Sequence, residues 1–351
     1  MSKRGRGIAA WAVLLVICAF VTMAFLTPSK FSHQGLNSQL KFSFVPTIKG
    51  WAMKPFVYRA LVPQTIALAL KVSPDGLERS AARGVAQSAL LSKAFARLKW
   101  EPEYALAYYI CVVLVYGLFL AFSILAVKFV LSTNGLPAPA AAGRLWSGLV
   151  LLGLPPFFKF TSFLYDPAQL MLFTASLYCL FARRWRPYLI LFALACINKE
   201  TAILLVPIFI FSYPMYPLRL ADGAARLLLG AQVAIFVVVK AVLALSFRDN
   251  PGPFMEFHLL DHNLNFLAIG YGWSQLILLA LLGFVCFYKW GEKPRFLKIA
   301  FVFTLPTMLA LYLFVGWLDE WRVYYEAYPV VLALAVHTFR RLSARLEGRA
   351  V

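Results

Sequence analysis

A short polar stretch interrupts a long apolar run. Residues 187–215 are largely apolar except at Asn198, Lys199 and Glu200. Charged residues in the middle of one membrane helix are costly, so the pattern predicts two short helices that meet at a turn. The start of the second helix attracts anions through its free N–H groups, and Lys199 adds a cation there. The stretch therefore predicts an anion site with phosphate as its occupant, where Glu200 orients or neutralises Lys199.

Two more charged residues lie at predicted helix ends. Arg59 belongs to a predicted amphipathic helix. Its guanidinium either holds a lipid phosphate in a two-point fork or extends to the membrane surface as an ordinary anchor. Asp166 directly precedes Pro167, which suits either a helix N-cap or a carboxylate held at a membrane boundary.

The segment at residues 319–326 combines acids, an arginine and aromatic side chains. Arg322 and Glu326 are four residues apart, which allows them to pair on one helix face. Aromatic residues such as Tyr325 either form a belt at the membrane boundary or stack on a sugar ring. The segment is a candidate sugar or acceptor site.

The composition places these residues in a membrane protein. Hydrophobic residues make up 62% of the 351-residue chain and charged residues 14%, against roughly 45–50% and 25% in soluble domains. A soluble fold of this size would lack polar surface, and the same figures exclude disorder, coiled coil and disulfide scaffolds. The net charge of +19 reports orientation and contact with lipid head groups, so no nucleic-acid partner is expected.

The apolar pattern predicts an all-α fold, a polytopic transmembrane helical bundle of about ten spans within a single integral membrane domain, residues 1–351. A span needs about 20 predominantly apolar residues. The short basic clusters then fall on one side of the membrane, which predicts that both termini are cytoplasmic. The predicted spans are residues 8–26, 104–131, 145–160, 167–182, 187–197, 201–215, 226–247, 274–290, 298–317 and 325–339.

Residues 27–103 form a long segment between the first two predicted spans. The segment is predicted to be external, with interfacial amphipathic helices over residues 55–70 and 79–98. Its basic excess conflicts with an external location, but long loops are translocated largely regardless of charge. The alternative makes residues 56–72 a span and residues 73–103 cytoplasmic, which inverts the loops that follow.

Cysteine and histidine usage does not suggest a metal centre. The five cysteines lie in apolar runs without a CxxC pair, and the four histidines form no HExxH motif. His258 and His262 are four residues apart, but no clustering of Asp, Glu or Cys completes a ligand set. The cysteines are expected to be small buried side chains, and neither a disulfide nor a metal site is predicted.

Together these features resemble the GT-C-type integral membrane glycosyltransferases, which take sugars from polyprenyl-phosphate donors. The resemblance rests first on the single N-terminal span followed by a long external segment. A Lys-containing turn followed by an apolar run and Pro, residues 198–207 (NKETAILLVP), is similar, as is the acidic–Arg–aromatic segment at residues 320–329.

The resemblance implies a substrate and a role for each charged position. The substrate would be a polyprenyl-phosphate-linked sugar, handled among membrane lipids on the extracytoplasmic face of the cell envelope. No cofactor is required, and a divalent metal is compatible with a phosphate substrate. The implied assignments are Arg59 and Lys199 at the lipid phosphate, Asp166 as the base with Glu200 orienting, and Arg322, Glu326 and Tyr325 at the sugar or acceptor site.

One departure concerns the catalytic acid. Those enzymes usually carry an Asp or Glu soon after the first span as general base towards the acceptor hydroxyl, and residues 27–72 contain neither. After Asp166, the next candidates are Glu101 and Glu103. The missing acid leaves open a non-catalytic membrane protein that binds or translocates a polyprenyl-linked lipid. An ion-coupled transporter would predict inverted repeats, which the sequence does not display.

Overall fold

The computed structural model describes helices and turns and, within the residues it describes, no β-strand, so the all-α prediction is confirmed. The described residues are 3–27, 36, 43–137, 142–158, 163–213, 222–269 and 272–347. The ends of two predicted spans, residues 159–160 and 214–215, lie outside them. So do residues 28–35 and 37–42 of the predicted external segment.

The described part of the chain forms fifteen α-helices. The first eight are α1 (Lys3–Leu26), α2 (Phe44–Ile48), α3 (Leu61–Lys71), α4 (Leu77–Gln87), α5 (Ala89–Leu98), α6 (Ala105–Thr133), α7 (Ala142–Leu152) and α8 (Asp166–Phe181). The others are α9 (Trp185–Asn198), α10 (Leu205–Ser212), α11 (Gly223–Ser246), α12 (Leu264–Ile269), α13 (Trp273–Phe287), α14 (Arg295–Val315) and α15 (Tyr328–Leu346). Single turns of 3-10 helix cover Phe56–Tyr58, Pro102–Tyr104, Pro155–Phe158, Glu200–Leu204, Trp290–Glu292 and Trp321–Tyr324, and a π-turn covers Leu259–Asn263.

Four helices in the described part of the chain are long and apolar enough to cross a membrane. They are Gly5–Leu26, Pro102–Thr133, Gly223–Ser246 and Arg295–Val315. These helices support the membrane class, but ten spans are not supported.

The other predicted spans fall on helices that are shorter or more charged than a membrane crossing requires. α8, α9 and α13 have 16, 14 and 15 residues, against about 20 for a crossing. α15 has 19 residues but carries Arg340, Arg341 and Arg345 near its end. Apolar runs overestimated helix length because apolar residues continue through turns, as in the 3-10 turn Pro155–Phe158 that follows α7.

The predicted surface helix over residues 79–98 is divided into α4 and α5. Ser88 ends α4 and caps α5, since its hydroxyl accepts a hydrogen bond from the backbone N of Leu91 at 3.3 Å. Serine favours this position because it satisfies an N–H group that the helix leaves unpaired. The break allows α4 and α5 to pack against each other while α4 also packs against α6.

An aromatic stack fastens this segment to the start of α6. The ring of Tyr108 stacks on Trp100 at 4.5 Å and on Phe44 at 4.4 Å between ring centres. Phe95 from α5 meets Trp100 edge-on at 5.5 Å. Because all four rings are buried, residues 44–104 are held against the bundle at the end where α6 begins.

The bundle core consists of α6, α8 and α9, with α8 packed between the other two. Because only a short connection joins α8 to α9, the two helices run antiparallel, and α9 ends where α8 begins. Asn198 Nδ2 donates to the carbonyl O of Tyr165 at 3.0 Å and ties these two ends together. The backbone N of Ala60 donates to the carbonyl O of Ile197 at 3.1 Å, which brings the loop before α3 to the same place.

Candidate functional site

Charged and polar side chains from four loops meet at the end of the bundle where α8 and α15 begin and α9 ends. We call this set the polar cluster. Its members are Arg59, Tyr165, Asp166, Gln169, Asn198, Lys199, Glu200, Thr201, Glu320, Arg322 and Glu326. Most members are buried, so an ionised group among them needs a partner inside the protein.

Arg59 and Glu200 form a two-point ion pair. Arg59 Nη2 donates to Glu200 Oε1 at 2.7 Å, and Arg59 Nε lies 3.5 Å from Oε2. Arg59 also donates to the Tyr165 hydroxyl, and its guanidinium lies 4.5 Å from the Tyr165 ring centre. The Glu200 side chain is 45% exposed and that of Arg59 11%, so Glu200 lies at the accessible edge of the cluster.

The ionisation of Glu200 follows from the same contacts. Burial by itself would raise the pKa of Glu200. The charge and hydrogen bonds of Arg59 outweigh burial and lower that pKa to about 2. Glu200 is therefore a carboxylate at neutral pH.

Lys199 and Glu326 form a fully enclosed ion pair. Lys199 Nζ lies 3.0 Å from Glu326 Oε1, and the two side chains are 2% and 0% exposed. Gln169 Nε2 donates to the same oxygen at 3.1 Å, and the Thr201 hydroxyl donates to it as well. Asn198 Nδ2 donates to Gln169 Oε1 at 3.2 Å and holds that amide in place. Glu326 Oε2 is buried and has no partner among the described residues.

Arg322 brings a second guanidinium to Tyr165. It donates to Glu320, and its Nη1 lies 3.5 Å from the Tyr165 hydroxyl. The Phe163 ring centre lies 3.9 Å from the guanidinium carbon. Arg322 Nε is buried and lacks a partner within the described residues. Arg59 and Arg322 thus approach one hydroxyl from two parts of the fold, an arrangement suited to a phosphate oxygen.

Asp166 is the first residue of α8, with Tyr165 as the N-cap, so the N-cap interpretation of Asp166 is wrong. Its Oδ2 instead accepts a hydrogen bond from the backbone N of Phe163 at 3.2 Å. Asp166 is 1% exposed, and its Oδ1 has no partner in the described part of the chain. Burial raises the pKa of this carboxyl to about 6, against the opposing charges of Arg322 and Lys199. Such a carboxyl can accept a proton near neutral pH.

Two pairings suggested by sequence spacing are wrong. Lys199 has extended backbone angles, φ −158° and ψ 146°, so the side chains of Lys199 and Glu200 diverge and find separate partners. The 3-10 turn that contains Arg322 covers only Trp321–Tyr324, so Arg322 and Glu326 do not share a helix face. Lys199 is neutralised by Glu326 and does not face an open anion site.

Three other candidates make no side-chain hydrogen bond to this network within the described residues. Tyr325 is 1% exposed, and its ring stacks on Phe157 at 5.5 Å between centres, as a core residue does. Glu101 and Glu103 are exposed beside the start of α6. In the described residues neither acid has a hydrogen bond or ion pair to the polar cluster, and the cation that interacts with both is Lys49.

Sequence reasoning missed several members of the cluster. Gln169 was not singled out, and Thr201 was noted only as part of the stretch at residues 198–207, although both contact Glu326. Gln169 lies three residues after Asp166 on α8, so both side chains occupy one face of an otherwise apolar helix. A lone amide at that spacing was the available signal. Tyr165 and Glu320 lie in the stretches that the sequence indicated, beside Asp166 and Arg322, but neither was assigned a role of its own.

Within the described residues, no group of three or more His, Cys, Asp or Glu side chains is placed to hold a metal ion. The charges of the polar cluster come instead from arginine, lysine and carboxylates that pair with each other. Comparison of the chain with protein-family models, curated proteins and solved structures found no match.

Proposed function

We propose that this protein is an integral membrane glycosyltransferase that takes a sugar from a polyprenyl-phosphate carrier. The observation that carries the proposal is the convergence of Arg59 and Arg322 on the Tyr165 hydroxyl. Each guanidinium is paired with a carboxylate, Glu200 or Glu320. A phosphate presents the same two-oxygen edge as a carboxylate, so it can exchange with these partners at an arginine fork.

The chemistry assigned to these groups balances in one step. The acceptor oxygen forms a bond to the anomeric carbon of the sugar, while the bond from that carbon to the carrier phosphate breaks. The phosphate leaves with the bonding electrons, and Arg59 and Arg322 stabilise the charge that develops on it. A carboxylate takes the proton of the acceptor hydroxyl.

Asp166 is the proposed base. Its Oδ1 has no partner among the described residues, and its pKa of about 6 leaves it ionised at neutral pH yet basic enough to accept a proton. Glu200 is already committed to Arg59 and has a pKa of about 2, which makes it the weaker base. We assign Glu200 to positioning Arg59. The ion pair of Lys199 with Glu326 holds the turn between α9 and α10 in place.

The proposed orientation places the polar cluster on the extracytoplasmic side, with both termini in the cytoplasm. The cluster lies where α8 and α15 begin, whereas the Arg-rich ends of the same helices carry Arg183, Arg184, Arg340 and Arg341. Basic residues concentrate on the cytoplasmic side of membrane proteins. The arginines at the opposite end of the bundle therefore support an external cluster facing a membrane-embedded lipid carrier.

The two arginines supply the positive charge that a phosphate leaving group needs, so the proposal requires no metal ion, although a divalent cation is compatible with it.

A second function is favoured by one observation. Asp166 is only 1% exposed, so an acceptor hydroxyl reaches it only after the cluster opens. A protein that binds or translocates a polyprenyl-linked lipid without transferring its sugar needs no such access.

The test measures binding and transfer separately, with purified protein and a polyprenyl-phosphate sugar. Arg59→Lys keeps the charge but loses the fork, and lipid binding is expected to weaken roughly 10- to 150-fold, the effect of losing a charge-assisted contact of about 1.5–3 kcal/mol. Arg248→Lys is the matched control, because Arg248 is 76% exposed and pairs only with its neighbour Asp249 among the described residues.

The outcomes separate the two functions. Binding with sugar transfer, both weakened by Arg59→Lys but not by Arg248→Lys, supports the glycosyltransferase. Binding without transfer to any acceptor in a membrane extract supports the lipid binder or translocator. Absence of binding, with unchanged lipid-linked sugars in cells that lack the protein, rejects both.

A further inference from the structure

A polar cavity lies at the opposite end of the bundle from the polar cluster. It is formed where α6 ends, α14 begins and α15 approaches its last turns. Its volume is about 220 Å³, and it is lined by Thr133, Asn134, Pro294, His337, Arg340 and Arg341. One water needs only about 10–15 Å³, whereas drug-sized ligands occupy roughly 300–1,000 Å³. The cavity therefore suits a small ion or the head group of a larger molecule.

The charge around this cavity is positive. Arg340 Nη1 donates to the carbonyl O of Asn134 at 2.7 Å, and this contact uses one of the five N–H donors of the guanidinium. Arg341 Nε lies 3.2 Å from Glu292 Oε2. Lys293, which directly precedes Pro294, is a third cation nearby.

A helix start adds to this field. Pro294 is the N-cap of α14, a helix of 21 residues. The free N–H groups and the positive end of the helix dipole at such a position favour an anion. The cavity thus combines two guanidiniums with a helix N-terminus.

Two buried polar atoms in the wall have no partner among the described residues. His337 is 7% exposed, and its Nδ1 is unpaired. Asn134 is 8% exposed, and its Oδ1 is unpaired. Asn134 Nδ2 donates to the carbonyl oxygens of Val130 at 2.9 Å and Ala333 at 3.1 Å, which fixes the orientation of the amide. Buried polar atoms are nearly always hydrogen-bonded, and both residues line the cavity, so a ligand bound there can supply the missing partners.

We infer that this cavity binds a phosphate group. The two arginines and the start of α14 match its charge, and His337 Nδ1–H donates to one of its oxygens. Asn134 Oδ1 accepts a hydrogen bond, so the ligand also carries a hydroxyl, either on a hydrogenphosphate or on the head group of an anionic phospholipid. The inference is independent of the proposed glycosyl transfer, because it concerns the other end of the molecule.

The test uses the full-length protein and follows thermal unfolding by tryptophan fluorescence. One arm adds inorganic phosphate to protein in neutral detergent at constant ionic strength, with chloride as the reference. The other arm adds micelles containing phosphatidylglycerol, with phosphatidylcholine as the reference. A ligand that binds only the folded state raises the unfolding midpoint as its concentration rises. The variants are Arg341→Gln and His337→Leu, the second of which leaves the arginines in place.

Two controls locate the effect. Arg345→Gln removes an exposed arginine from the same helix, and Arg248→Lys changes an exposed arginine that belongs to neither site. The apparent Kd is expected to weaken at least about 10-fold in Arg341→Gln and His337→Leu, and to stay unchanged in both controls.

Each outcome decides the matter. A response to inorganic phosphate identifies the free anion as the ligand, and a response only to phosphatidylglycerol identifies a lipid head group. Both results support the inference if the cavity variants lose them. No response in either arm overturns it, as does an equal loss in Arg345→Gln or a wild-type response in His337→Leu.

Discussion

The enclosed pair between Lys199 and Glu326 allows a sharp test of the structure. Both side chains are almost completely buried, at 2% and 0% exposure. Glu326 Oε1 accepts hydrogen bonds from Lys199, Gln169 and Thr201. The variant Lys199→Met removes the cation while keeping an unbranched side chain of similar length. Glu326 then remains as a buried carboxylate with only neutral donors around it.

The expected loss of stability is large. Removing one partner of a buried ion pair costs about 3–5 kcal/mol, because the remaining charge has no compensation. Glu326→Gln should cost a similar amount, since it leaves Lys199 as an unpaired buried cation. The double variant Lys199→Met with Glu326→Leu is expected to be much closer to wild type, because apolar replacement of a buried pair is often neutral or stabilising. The double-mutant cycle should therefore show a coupling of at least about 2 kcal/mol.

The assay is equilibrium unfolding in mixed micelles, with Arg248→Met as the control. Arg248 and Asp249 are 76% and 90% exposed, so loss of that pair should cost about 0–1 kcal/mol. If Lys199→Met costs less than about 1 kcal/mol, the pair is not enclosed in the folded protein. Lys199 would then face a lipid phosphate directly, as its sequence context predicts.

Three further predictions concern other parts of the molecule. Asp166→Asn should reduce glycosyl transfer, measured as product formed, at least about 10²-fold with unchanged expression. Wild-type transfer should also fall as the pH drops through about 6, because Asp166 becomes protonated. Full activity in the variant would remove Asp166 from the mechanism. Lys293 Nζ donates to Val285 O, Leu334 O and Thr338 Oγ1, so Lys293→Met should destabilise the protein by at least about 2 kcal/mol in the same unfolding assay. The control Lys289→Met removes a 54% exposed side chain and should cost about 0–1 kcal/mol. Equal losses of stability in the two variants would contradict the burial of Lys293. A cysteine at Leu90, which is 79% exposed, should react with a membrane-impermeant reagent from outside the cell. The five native cysteines are buried, so they should add little background labelling. Labelling from the cytoplasmic side alone would invert the proposed topology.

Helix starts and breaks were readable from local sequence. The Asn198–Lys199–Glu200 stretch predicted an interruption, and α9 ends at Asn198. Pro167 predicted a helix start, and α8 begins one residue before it. These features depend on a few neighbouring residues, since proline lacks an N–H donor and charged groups are excluded from apolar surroundings.

The number of spans was not readable in the same way. Apolar composition extends through turns such as Pro155–Phe158, so a hydropathy pattern joins a short helix to the loop beside it. The end of a helix is decided by backbone hydrogen bonds and packing partners. A residue with an apolar side chain satisfies a membrane-like pattern whether or not its backbone is helical.

The sequence alone determined that the chain is an all-α membrane protein whose charges collect at helix ends, because composition and apolar periodicity follow directly from residue types. Only the tertiary structure decided which charges meet. Arg59 and Glu200 are 141 residues apart and Lys199 and Glu326 are 127 apart, yet both pairs form within one cluster. A buried ion is stabilised by whichever opposite charge the packing brings within about 4 Å. That distance depends on how α8, α9 and α15 pack, which no spacing along the chain specifies.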